Sequence, residues 1–421
     1  MVATSLAGMG LVLLAPSPAV DGSEAVEPTP ERSEVVLRLP RPDDVRAPIP
    51  SKVASRRALG APPAEPALAP GPAAAEPTPP PPAPPPEPVV NRPPPGPDRV
   101  APSDEAPPPP EPDSTAVHPA NFPDPHVVHA HGSYWAFATQ SGLTKVPTMR
   151  SPDLVHWTWV GDALQQLPAW AEWGHNWAPS VLPRGTTFVL YYTTRHAATG
   201  LQCISRAVGA LPQGPYVDET TGPLVCQTER GGSIDPSPFV DVDGRAWLLW
   251  KSEGTLQGEP TRIWVQSLSP DGLRLEGAPV QLLERELDWE HPIIEGPSMT
   301  FADGRYHLLY SGNRWQTAQY AVGHAVCASV TGPCRRTSPG PVLASRSGEA
   351  GPGGQEITSA PDGSLVLVHH AWAPAAVGYA SHGARRLHIS ALRIRGDRVE
   401  VGGPWRDRRD GGLVDAIGPS R

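Results

Sequence analysis

Five glycines divide this chain at nearly even intervals. Gly132, Gly185, Gly244, Gly304 and Gly363 lie 53, 59, 60 and 59 residues apart. Each follows a turn-forming residue and separates two apolar runs. His131-Gly132 stands between "HVVHA" and "SYWAFAT", and Arg184-Gly185 between "NWAPSVL" and "FVLYYT". Asp243-Gly244 stands between "IDPSPFVDV" and "AWLLW", and Asp303-Gly304 between "IEGPSMTF" and "YHLLY". Asp362-Gly363 stands between "QEITSA" and "SLVLVHH". Glycine accepts the positive φ that tight hairpin turns require, so Asp-Gly between apolar runs reads as a hairpin. A period above 50 residues with several strands per unit indicates propeller blades. Runs such as "TRIWVQSLS" and "YAVGHAVCAS" supply further strands, and no long stretch shows helical periodicity. The expected fold is an all-β, five-bladed β-propeller over residues 117–407, with a C-terminal tail over 408–421.

The segment ahead of the repeats has a different composition. Of the chain's 58 prolines, 33 fall in the first 120 residues, and none of its 26 aromatic residues does; the first is Phe122. Such a segment buries too little apolar surface to offset the entropy of ordering it. Residues 21–116 therefore read as a disordered Pro/Ala-rich linker. Residues 1–20 read as a signal peptide, because the apolar run Leu6 to Ala15 precedes small residues at Ser17-Pro18-Ala19. A positively charged start is missing; the first arginine is Arg32. Secretion is expected on this reading. A net charge of −9 offers no basic surface to nucleic acid, and no run reaches the roughly 18 apolar residues that span a bilayer. The cysteines fall as two local pairs, Cys203 with Cys226 and Cys327 with Cys334. In an exported chain such pairs favour disulfides over buried free thiols.

Counting back from each turn glycine locates the chemistry. Asp124 lies 8 residues before Gly132, Asp235 9 before Gly244, and Glu295 9 before Gly304. The innermost strand of each blade runs along the central channel, so equivalent positions on different blades surround one point. Asn176 and Gly354 hold the corresponding place in the other two blades. Three carboxylates facing one another raise each other's pKa, so a fold with no use for them should avoid the arrangement. Glycosidic cleavage uses such a set: one acid protonates the leaving oxygen and another carboxylate activates water or attacks the sugar. Trp177, Trp173, Trp315 and Phe122 are candidates to stack on sugar rings, with Asn176, Gln355 and His370 as further lining residues.

The stretches "NFPDPHVV", "SPDLVHWTWVG", "NWAPSV", "CISRAVGALPQGPYVD", "GGSIDPSPFVDVDGRAWLLWKSEG", "IEGPSMTFADGRYHLLYSGN" and "VHHAW" together resemble glycoside hydrolase family 43. They run through all five units in the family's order. The resemblance implies an inverting glycosidase with Asp124 as general base, Glu295 as general acid and Asp235 as the residue that tunes and positions Glu295. It implies pentose-containing cell-wall polysaccharides of plant type as substrates. α-L-Arabinofuranosidase activity leads, with β-xylosidase or endo-arabinanase as alternatives. A sugar-binding propeller without turnover is the rival from another class. Cysteine pairs beside Gly214-Pro215 and Gly332-Pro333 also match the family and support two disulfides. Many members place a His in a "GPGH" segment, near a calcium or solvated ion in the channel. Here the segment reads Gly351-Pro352-Gly353-Gly354-Gln355, and Gly354 offers no side-chain ligand. No cofactor is expected to be required, calcium in the central channel is the alternative, and a monomer is expected.

Overall fold

Alternating apolar residues and glycine turns build five antiparallel sheets in the computed structural model, which describes residues 115–254 and 258–406. The expectations for residues 1–20, for 21–114 of the linker and for the tail at 408–421 lie outside those residues. Blade one contains β1 (His126–Ala130), β2 (Ser133–Phe137), β3 (Pro147–Ser151) and β4 (Thr158–Asp162), in that order. Blade two contains β5 (Leu164–Gln166), β6 (Ala171–Arg184), β7 (Thr187–His196), β8 (Gln202–Gly209) and β9 (Tyr216–Val217). Its order is β6-β7-β8-β9-β5, with β5 parallel to β9. Blade three contains β10 (Ser233–Val240), β11 (Ala246–Ser252), β12 (Arg262–Leu268) and β13 (Leu275–Glu284). Blade four contains β14 (Ile294–Ala302), β15 (Arg305–Gly312), β16 (Ala321–Cys327) and β17 (Cys334–Arg336). Blade five contains β18 (Ala350–Ser359), β19 (Leu365–Trp372), β20 (Arg386–Arg395) and β21 (Arg398–Pro404).

The inner strands β1, β6, β10, β14 and β18 each touch the next, and β18 returns to β1, so the ring is closed. The five turn glycines all adopt positive φ, between 57° and 81°. Successive strand residues point to opposite sheet faces, and in a propeller each face meets a neighbouring blade. Leu248 and Trp250 thus pack against blade two, while Leu249 between them packs against blade four. The same alternation gives one apolar layer per blade interface. Backbone bonds from Val117 to Leu387 and from Phe122 to Arg385 tie the start of the domain to blade five. Both expected disulfides are present, Cys203–Cys226 and Cys327–Cys334.

The stretch from Leu164 to His175, with two Trp and no apolar alternation, reads in sequence as a loop. The structure instead places β5 at its start and opens the 14-residue β6 at Ala171, paired with β7 through Ala171↔His196. Glu172 and Trp173 are both exposed at the start of β6, which is why apolar alternation does not reveal it.

Blade five also buries an ionic cluster. Glu349 accepts from Arg346 at 3.0 Å and lies 3.0 Å from His369 Nε2 and 3.6 Å from His388 Nδ1. Burial pushes its carboxyl up, but His369, His388 and Arg346 outweigh burial and hold it at about 2. A folded value below the unfolded one stabilises the fold above about pH 4.5, and that contribution is lost as the pH falls towards 2. Glu349→Gln is expected to lower Tm at neutral pH by about 5–10 °C. It should also flatten the loss of stability between pH 4.5 and 2. Thermal unfolding across that range checks both, and an unchanged acid slope would remove Glu349 as the cause.

Candidate active site

Every blade carries a left-handed residue at the same level, within its inner strand or, for Asp124, two residues before β1. These are Asp124 (φ 51°), Ala178 (41°), Asp235 (56°), Gly296 (55°) and Gly354 (56°). In four blades proline follows directly: Pro125, Pro179, Pro236 and Pro297. Left-handed backbone costs a non-glycine residue about 1–2 kcal/mol, so the surroundings must hold it in place. They do so through the backbone N–H. Asp124 N donates to His370 Nδ1 (3.1 Å), Ala178 N to Thr139 Oγ1 (2.8 Å) and Asp235 N to Thr193 Oγ1 (3.1 Å). Gly354 N donates to Ser311 Oγ (3.0 Å). Every one of these acceptors belongs to the preceding blade. The fifth case differs: Gly296 N donates to the Asp235 carboxylate at 2.9 Å.

This pattern refines the register read from sequence. Asp124 and Asp235 are equivalent, both left-handed and both before proline. Glu295 lies one residue earlier, since Gly296 holds the equivalent place, and in blade two that earlier position is Trp177 rather than Asn176. The ladder skips between Glu295 and Ser298, and between Ile234 and Ser237. Such bulges re-aim side chains. All three carboxylates line one cavity of about 470 Å³, within the range of small-ligand sites.

Their surroundings differ. The Asp124 carboxylate accepts from Thr139 Oγ1 (2.6 Å) and Arg385 Nη1 (3.1 Å). Glu295 accepts from Tyr320 Oη at 2.8 Å on one oxygen and from Lys251 Nζ at 3.0 Å on the other. For Asp235, burial and the neighbouring Glu295 push the carboxyl well above its usual range, with Lys251 opposing and Asp124 adding to the rise. Burial followed by Arg385 drives His370 well below its usual value, so its imidazole is neutral. Burial, Glu295 and Asp124 keep Tyr320 protonated as a donor. Arg385 also stacks over Trp315 at 4.4 Å, and Trp315 stacks on Trp372, which makes one wall aromatic and cationic.

Of the other residues singled out from sequence, Trp177, Trp315 and Gln355 line the cavity. Phe122 does not: it is 1% exposed and packs in the layer between blades five and one. Asn176 is buried behind the wall, accepting from Thr194. His370 is buried behind Asp124. Trp173 is 56% exposed on β6, outside the cavity lining.

Arg385, Tyr320, Thr139, Lys251 and Glu253 were not singled out from sequence. Five of the residues around the acids share a signal. Counting forward seven residues from the turn glycines gives Thr139, Lys251, Ser311 and His370, and eight from Gly185 gives Thr193. Nothing comparable marks Arg385 or Tyr320.

The glycines of blade five are required by packing. A Cβ on Gly354 would lie 2.6 Å from His370 Nδ1 and 2.7 Å from Asp124 Oδ1, and one on Gly353 would meet the Tyr320 ring at 2.1 Å. The same segment does not fit calcium. Gly354 has no ligand, and Gln355 is held at both ends, accepting from Ser311 and donating to Gly296 O. His370 offers nitrogen, where calcium takes oxygen ligands.

Comparison with known proteins gives a consistent picture. The sequence pattern of glycosyl hydrolases family 43 matches residues 115–398. The β-D-galactofuranosidase xynD of Aspergillus niger is 28% identical over 271 residues, covering 60% of this chain and 75% of that protein. The extracellular endo-α-(1→5)-L-arabinanase 2 of Bacillus subtilis is 23% identical over 216 residues, covering 44% of this chain and 43% of that protein. A thermostable family-43 glycoside hydrolase of known crystal structure superposes with a TM-score of 0.62 at 29% identity, over 68% of this chain and 95% of that one. With a closed five-bladed ring and three carboxylates on one cavity, the chain belongs to glycosyl hydrolases family 43 and is a glycosidase.

Proposed function

We propose that the protein is an inverting glycosidase of furanose-containing polysaccharides or oligosaccharides, of the α-L-arabinofuranosidase type. The observation that carries this reading is the convergence of Asp124, Asp235 and Glu295, from three blades, on one cavity. Asp124 takes a proton from water as that water attacks the anomeric carbon. Glu295 gives its proton to the glycosidic oxygen as the bond to that carbon breaks. Asp235 lies against the Gly296 N–H and sets the field in which Glu295 exchanges its proton. Thr139 and Arg385 fix Asp124 so that one face remains for water.

A furanosyl substrate is supported by the names of the relatives, which act on galactofuranosides and on arabinan. The galactofuranosidase has the longer alignment, and this favours a second reading in which a β-D-galactofuranosyl group occupies the cavity. Cleavage of 4-nitrophenyl α-L-arabinofuranoside, β-D-galactofuranoside and β-D-xyloside, compared by kcat/KM, tests the assignment. The arabinofuranoside should lead by at least about tenfold, or about 1.4 kcal/mol of transition-state binding. A leading xyloside would overturn the furanosyl reading. Action outside the cell is part of the proposal, supported by the two disulfides and by extracellular relatives.

Trp173 extends this reading to polymers. It stands exposed on the β6–β7 ribbon beyond the cavity, where a longer glycan would pass. Trp173→Ala is expected to raise KM for arabinan about fivefold, the equivalent of about 1 kcal/mol of stacking, and to leave the aryl arabinofuranoside unchanged. Equal KM values on the polymer would take Trp173 out of the binding path.

A further inference from the structure

Four blades use the second strand, or in blade one the residues just past it, in the same way. Thr139, Thr193, Ser311 and His370 each turn an acceptor atom to the backbone N–H of the left-handed residue in the next blade. Strand register matches three of these places, and in blade one the Thr139 N–H donates to the carbonyl of Pro123, directly before Asp124. Thr193 pairs with Trp177 and Ser311 with Glu295, while His370 pairs with Gly353; each partner directly precedes a left-handed residue. In blade three the matching residue, paired with Ile234, is Lys251.

An ammonium group has three donors and no acceptor, so Lys251 cannot hold the N–H of the next blade. Asp235 holds Gly296 N instead, and Lys251 is released to another partner. Its side chain is 2% exposed, and its Nζ donates to Glu295 at 3.0 Å and to Glu253 at 2.9 Å. A lone buried cation is costly. A cation that strong beside a proton donor would also hold the donor deprotonated. Glu253 offsets both effects, because it divides the charge of Lys251 between two carboxylates.

We infer that Lys251 and Glu253 form a charge-compensated pair that orients Glu295 and sets the alkaline limit of catalysis. The inference rests on Glu295 being the general acid. Lys251 is a positioning residue: it touches the acid rather than the sugar, and Glu253 acts through Lys251.

The pair makes a prediction of opposite sign for its two members. The alkaline limb of kcat/KM against pH reports loss of the donor's proton. Lys251→Met removes the cation, the proton is held to higher pH, and the limb should move up by about 1 pH unit or more. Glu253→Gln leaves the cation uncompensated beside Glu295, and the limb should move down by a similar amount. Loss of packing alone would lower activity without moving the limbs apart. The test is a pH–rate profile of the full chain and both variants on one arabino-oligosaccharide, whose leaving group needs the donor's proton, with Tm measured alongside. Opposite movements support the inference; unmoved limbs, or movement in one direction, overturn it. If Lys251→Met does not fold, Glu253→Gln decides alone by the direction of its limb. Failure of the underlying reading shows separately, as activity on the same oligosaccharide retained by Glu295→Gln.

Discussion

Glu295→Gln is expected to lose about 10³–10⁴-fold in kcat on arabino-oligosaccharides but only about tenfold or less on 4-nitrophenyl α-L-arabinofuranoside. The difference lies in the leaving group. A sugar alkoxide needs a proton as the bond breaks, while 4-nitrophenolate departs without one. The amide keeps the size of Glu295; its oxygen can still accept from Lys251 while its NH2 donates to the Tyr320 hydroxyl, so the cavity stays formed. Asp124→Asn should behave differently and lose about 10³-fold or more on both substrates, because water must be activated whatever leaves. Steady-state kinetics on the two substrates measures this directly. Equal losses for Glu295→Gln on both would remove it from the role of proton donor.

Asp235→Asn is expected to abolish most activity and yet raise stability. Burial and Glu295 push the Asp235 carboxyl well above its usual range. A folded value above the unfolded one means that the charged form weighs against the fold. That cost is absent below about pH 4, where the unfolded carboxyl is itself protonated, and it grows as the pH rises. The asparagine amide oxygen can still accept the Gly296 N–H, so the bulge in β14 keeps its anchor. At neutral pH the variant should unfold about 2–5 °C higher, with the gain vanishing towards pH 4. Its kcat should fall about 10²–10³-fold, since the proton of Glu295 is no longer held in the field of a second carboxylate. Thermal unfolding at pH 4 and pH 7, paired with kinetics, tests both halves. A variant less stable at pH 7 than the parent would show that Asp235 is retained for structure.

The ring was legible in the sequence because its turns need glycine at a fixed period, and because strands buried on both faces read as apolar runs. The three acids were legible because repetition places equivalent residues around one axis. The count was off by one at Glu295, since five residues link β10 to β11 but only two link β14 to β15, and the turn glycine shifts with the length of the hairpin; the proline after four of the five left-handed residues was the better ruler. Phe122 looked like a sugar-stacking residue only because it neighbours Asp124 in the chain, whereas its ring turns into the seam where the ring closes. Arg385 could not be found, as its place depends on how blade five folds back onto blade one. Lys251 could have been found, because it sits seven residues past a turn glycine, where two of the other four blades carry a hydroxyl in the same count and a third carries His370.

The claim on which the rest depends is that Asp124 and Glu295 act on opposite sides of the scissile bond, with water between Asp124 and the sugar. Proton NMR of the sugar first released from an arabino-oligosaccharide, recorded before mutarotation, tests it most directly. The account predicts the anomer of inverted configuration. A first product of retained configuration would require a carboxylate bonded to the sugar and would contradict the account.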